Sequence, residues 1–130
     1  MGKKAILCVD DEAIILKSLE LELRSNLGGD YIYESTQSAD DALRLIAGLS
    51  QEGAIGITVI TDWHMPGVKG DDFLAIIRDR YPFVKIILIT GQVDDAFLDH
   101  VQKNGIASRI LLKPWTTRQL LQAVEGCDDT

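Results

Sequence analysis

Five short apolar runs, rich in β-branched residues and separated by stretches of helical periodicity, constrain the fold of this chain more than any other feature. Parallel strands cannot be joined by tight turns and need a crossover helix, so this alternation builds βαβ units. Strands are expected near 5–9, 31–35, 57–61, 85–90 and 109–112. The class is therefore α/β: a (βα)5 doubly wound parallel five-stranded sheet with helices on both faces.

The first helical pattern, about 12–27, competes with a strand reading because Leu19-Glu-Leu-Glu-Leu23 alternates. The longer pattern decides, since Leu16, Leu19, Leu23 and Leu27 share one helical face. The second opens at Ser38 with Asp41 three residues on, close to a capping box, and carries the stripe Ala39, Ala42, Leu43 and Ile46. Gly48 is its expected stop. The third, about 70–80, is expected to bury Phe73, Ile76 and Ile77 before Pro82 ends it. The fourth, about 94–103, carries Phe97, Leu98 and Val101 and stops at Gly105, and the fifth, about 116–125, carries Leu120, Leu121 and Val124.

A length of 130 residues fits one domain, expected over 1–125, with a polar tail at 126–130. No apolar stretch approaches the ~20 residues that span a bilayer, so no membrane association is expected. The start, Met-Gly-Lys-Lys, runs straight into a strand without the apolar segment of a signal peptide, which makes a cytoplasmic location the expectation. A net charge of −7 argues against direct nucleic-acid binding, which relies on Lys and Arg to displace counterions. Cys8 and Cys127 lack metal or redox spacing, and Cys8, inside a strand, reads as core filler.

Charged residues end three of the apolar runs. Asp62 ends Ile57-Thr-Val-Ile-Thr-Asp62, Asp10 and Asp11 follow Ala5-Ile-Leu-Cys-Val9, and Lys113 follows Ile110-Leu-Leu. Strand ends of open α/β sheets face a ligand crevice, so these groups are expected to meet at one sheet edge. Three carboxylates there would repel and raise one another's pKa unless a divalent cation and the lysine offset the charge. That is the chemistry of a metal-assisted phosphoryl acceptor.

With these features in order, the chain resembles the receiver domain of two-component response regulators, from Ile6 to about Val124. The resemblance rests on Asp10-Asp11, on Asp62 with Met65-Pro66-Gly67, on Thr90-Gly91 and on Lys113-Pro114. It implies the flavodoxin-like strand order 2-1-3-4-5, with Asp62 as phospho-acceptor. It also implies Mg2+ held by Asp11, Asp62 and the backbone carbonyl of His64, with Asp10 acting through water. Lys113 and Thr90 would engage the phosphoryl oxygens, and Lys113-Pro114 would be a cis peptide.

By the same resemblance the domain is not a conventional enzyme, but catalyses its own phosphorylation from a donor and its own dephosphorylation. Its implied partners are a histidine kinase or phosphotransfer protein upstream and a downstream protein or fused effector domain. The family often carries an aromatic switch residue three positions before the strand-five lysine; here Ile110 stands there. Lys113-Pro114-Trp115 resembles a receiver subgroup often fused to cyclic-di-nucleotide phosphodiesterase or kinase modules.

Three other readings compete. A flavodoxin-like binding module would need a hydroxyl- and glycine-rich phosphate loop after strand one, where this chain has three acids that would repel phosphate. A haloacid-dehalogenase-like phosphatase would want acids two residues apart after the first strand, which Asp10 and Glu12 offer, but it leaves the Asp62 loop unexplained. A pseudo-receiver serving only as an interaction module is at odds with the complete acid set.

Overall fold

The computed structural model describes residues 3–62, 70–91 and 109–125. Its five strands are β1 (Lys4–Val9), β2 (Tyr31–Thr36), β3 (Gly56–Asp62), β4 (Lys85–Thr90) and β5 (Arg109–Leu112). They pair in parallel in the order β2-β1-β3-β4-β5, the expected order. The described helices are α1 (Ala13–Leu27), α2 (Ala39–Gln51), α3 (Gly70–Arg80) and α4 (Thr117–Glu125). The helical pattern expected at 94–103, and with it Phe97, Leu98 and Val101, lies outside the described residues.

The middle strands read as near-continuous apolar runs because helices cover both faces of the sheet. Period-two pleating sorts their side chains into two cores. Ala5, Leu7, Val9, Ile57, Val59, Ile86 and Leu88 pack with Ala42 and Ile46 of α2 and with Phe73, Leu74 and Ile77 of α3. The alternate residues Ile6, Cys8, Ile60, Ile87, Ile89 and Leu111 pack with Leu16, Leu19 and Leu23 of α1 and with Leu120 and Val124 of α4. The ambiguous first helix is helical: Leu19 and Leu23 are buried while Leu21 is 63% exposed, as a 3.6-residue period requires.

Helix α2 starts as expected, with the Ser38 hydroxyl accepting the Asp41 N–H at 3.2 Å. It does not stop at Gly48 but runs to Gln51. Leu49 extends the buried stripe, and this packing offsets the roughly 1 kcal/mol that a helical glycine costs. Termination falls to Gly53, at φ +88°. Its N–H donates to Ser50 C=O and that of Ala54 to Leu49 C=O, the paired bonds of a Schellman motif that needs a left-handed residue. On α3 the packed face is Phe73, Leu74 and Ile77, while Ile76 is only half-buried. On α4, Ala123 joins Leu120 and Val124 in the core, and Leu121 is half-buried. No helix of the described residues is long and apolar enough to cross a membrane.

Candidate functional site

The carboxyl ends of β1, β3 and β5 each place a charged residue two positions beyond an apolar one on the same face. Asp10 follows Cys8, Asp62 follows Ile60 and Lys113 follows Leu111, so pleating alone brings them to the α1/α4 side of the sheet edge. Ladder bonds persist past two of these strand ends. The N–H of Asp10 donates to Thr36 C=O at 3.2 Å, and that of Lys113 donates to Thr90 C=O at 2.9 Å.

Asp10 is fully buried. Its Oδ1 accepts the Glu12 N–H at 2.8 Å, whereas Oδ2 has no hydrogen-bond partner among the described residues. Burial, reinforced by the neighbouring charges of Asp62 and Asp11, pushes its carboxyl up to about 6, against the lowering pull of the Glu12 N–H and Lys113. Asp11 is exposed, and its backbone carbonyl accepts from the Gln37 side-chain amide at 2.9 Å. Asp62 is half-buried at the end of β3, with the Lys113 ammonium 3.4 Å from its Oδ2.

One oxygen from each of Asp10, Asp11 and Asp62 lies within 4.8 Å of the others. Oxygen-only donors so close suit a hard divalent cation, and among the described residues Lys113 alone leaves a net negative charge for such an ion to offset. Thr90 is buried at the end of β4, on the opposite pleat from the charged set, level with the exposed Leu112 of β5. Thr61, also buried on that pleat, donates its hydroxyl to the Asp62 carbonyl at 3.2 Å. His64 and Trp63 lie outside the described residues. The structure thus brings together Asp10, Asp11, Asp62 and Lys113, and sets Thr90 on the adjoining strand end. Glu12, the partner that a phosphatase reading needs for Asp10, is an exposed helix-capping position outside the acidic cluster.

The Lys113–Pro114 peptide is cis, as expected. Sequence reasoning missed what surrounds it. Thr116 and Gln119 form a reciprocal capping box at the start of α4, a Thr-x-x-Gln signal visible in the sequence. The Trp115 indole N–H donates to Glu22 Oε1 at 3.1 Å, and the Thr117 hydroxyl donates to Glu22 Oε2. No local pattern announces that contact.

Residues 6–125 match the family described as the response regulator receiver domain. The response regulator protein FleR of Pseudomonas aeruginosa is 34% identical over 121 residues, which cover 92% of this chain and 23% of FleR. The chain thus spans about a quarter of that relative's length. The chemotaxis protein CheY-3 of Vibrio cholerae is 30% identical over 122 residues, covering 92% of this chain and 88% of that protein. Among solved structures, the signal receiver domain of an HD domain-containing protein from Pseudomonas fluorescens Pf-5 superposes with a TM-score of 0.79 at 30% identity. That match covers 96% of this chain and 86% of the other.

Proposed function

The chain belongs to the response regulator receiver domain family, and from that premise we propose that Asp62 is its phospho-acceptor, working with Mg2+. The observation that carries this reading is the convergence of Asp10, Asp11 and Asp62 within 4.8 Å beside the Lys113 ammonium. Asp11, Asp62 and the backbone carbonyl of His64 would hold the ion. The buried Oδ2 of Asp10, which has no hydrogen-bond partner among the described residues, is the acceptor that a metal-bound water needs. When bound, the ion offsets the carboxylate charge and polarises the phosphoryl oxygens.

A carboxylate oxygen of Asp62 attacks phosphorus as the bond to the donor breaks, and the leaving group departs with that electron pair. Lys113 transfers its ammonium contact to the phosphoryl oxygens, and Thr90 donates its hydroxyl to them. Later attack by water on phosphorus restores the carboxylate and releases inorganic phosphate. The donor is a histidine kinase or phosphotransfer protein, and the signal passes to a downstream protein or a fused effector domain. A cytoplasmic location belongs to the same proposal.

Because Ile110, half-buried against the α2/α3 core, replaces the aromatic switch, the response is carried by the segment from Thr90 to Trp115. The test is incubation with Mg2+ and acetyl phosphate. One phosphoryl group should map to Asp62 only when Mg2+ is present; a phosphoryl group on another acid refutes the assignment.

A further inference from the structure

Between the last residue of β5, Leu112, and the first of α4, Thr117, the chain must turn while delivering the Lys113 side chain to Asp62. Among the described residues, bonds from the backbone N–H groups secure the two ends of this turn. The Lys113 N–H is tied to Thr90, and the Thr116 N–H to the Gln119 side chain. Trp115 in its middle and Thr117 at the start of α4 are held from outside, donating to the two oxygens of one carboxylate, that of Glu22. Hydrogen bonds to an ionised acceptor are roughly twice as strong as neutral ones, and two on one carboxylate also fix its orientation. Glu22 itself is rigidly mounted: its neighbour Leu23 is fully buried, and Leu16 and Leu19 press the same helix onto the sheet.

We propose that Glu22 is a positioning residue for phosphoryl transfer, strapping the Lys113–Thr117 turn to α1 and thereby fixing where the Lys113 ammonium stands beside Asp62. This rests on the phospho-acceptor reading given above. Lysine carries a compact charge on a flexible four-carbon stem, so its reach is directed only as well as its backbone root is held. Room for the turn to move exists. A groove of about 530 Å³ between α1 and the turn is lined by Ile15, Ser18, Glu22, Lys113, Pro114 and Trp115. The carboxylate and the lysine therefore face one space, and cutting the strap frees the turn to relax into it.

The experiment measures the rate of Asp62 phosphorylation from acetyl phosphate at saturating Mg2+, by intact mass, in wild type, Glu22→Ala, Glu22→Gln, Lys113→Ala and the Glu22→Ala/Lys113→Ala double variant. A misplacement of 1 Å can cost about 100-fold, so partial release of the turn in Glu22→Ala should slow the reaction about tenfold. Glu22→Gln should recover part of the rate, because its amide oxygen still accepts the Trp115 N–H. In the Lys113→Ala background the same Glu22→Ala change should alter the rate less than about twofold, the signature of a residue acting through the lysine. A folded Glu22→Ala protein at the wild-type rate overturns the proposal, as does an undiminished loss when Lys113 is absent. If Glu22→Ala does not fold by circular dichroism, Thr117→Val, which removes the other hydrogen-bond donor to Glu22 at nearly unchanged shape, takes its place in the same cycle, and the same two outcomes support or overturn the proposal. Wild-type protein that takes no phosphoryl group on Asp62 overturns the functional reading and this proposal together, and that result precedes any comparison of variants.

Discussion

The two faces of the sheet are built from the same strands yet do different work. Toward α2 and α3 the series is apolar along β1, β3 and β4; β1 finishes in Val9, and β3 and β4 finish in the hydroxyls Thr61 and Thr90. Toward α1 and α4 the series includes Cys8 and finishes in Asp10, Asp62 and Lys113. Both faces bury their apolar residues equally well. What separates them is the residue chosen one pleat beyond the helical cover, where a charge can stand with its base in the core and its head at the crevice. Both faces supply stability, but the α1/α4 face ends in the charged groups, whereas the α2/α3 face ends in hydroxyls at Thr61 and Thr90.

The sharpest way to break this division is to exchange one atom type on each face. Asp62→Asn should abolish phosphoryl uptake from acetyl phosphate, since it keeps the shape and removes the nucleophile, whereas Thr61→Val, one residue back on the other face, should leave uptake within about threefold of wild type. Uptake lost equally in both would show that the faces are not functionally distinct. Next in size, Leu7→Ala on the α2/α3 face should lower unfolding free energy in urea by about 2–5 kcal/mol, while the protein that remains folded still takes phosphate at Asp62.

Asp10→Asn should weaken Mg2+ binding by about 10–100-fold in a fluorescence or calorimetric titration, as expected for an outer-shell ligand. The same variant sharpens the contrast through pH. Burial raises the Asp10 carboxyl from 3.8 to about 6, so the metal-free folded state holds that proton more tightly than the unfolded chain. Its stabilising contribution is complete below about pH 4, falls as pH rises toward 6, and then levels. The stability advantage of Asp10→Asn over wild type should accordingly grow across that window and plateau above it; an advantage independent of pH would contradict the buried-acid account. The smallest effect is expected at Cys8, whose thiol burial pushes up to about 12. In a Cys127→Ser background it should resist maleimide at neutral pH until the protein unfolds. Rapid labelling of the native state would mean that the α1/α4 core is looser than its partner.

Much of this organisation is legible in the sequence. The strands fall within a residue of their expected bounds, because each is an apolar run closed by a charge or a turn. Asp10, Asp62 and Lys113 stand out as charges at the ends of those runs. What escaped was set by partners distant in sequence. Helix α2 passes Gly48 because Leu49 finds a place in the core, and the half-burial of Ile76 reflects which side of α3 meets the sheet. Nothing in the local sequence marks Glu22, since its partners Trp115 and Thr117 lie 93 and 95 residues away.

The strand order has a consequence for how the protein is made. During synthesis, Asp10, Asp11 and Asp62 leave the ribosome well before Lys113, which is 51 positions beyond Asp62. A nascent chain that has emerged only through β4 can already gather three like charges at the sheet edge, yet lacks the cation that belongs there. Until β5 docks, that edge must rely on solvent and free divalent ions to temper the repulsion, so the last strand to emerge completes the charge balance as well as the sheet. Arrival of β5 therefore closes the sheet and brings an ammonium to the acidic edge in a single event.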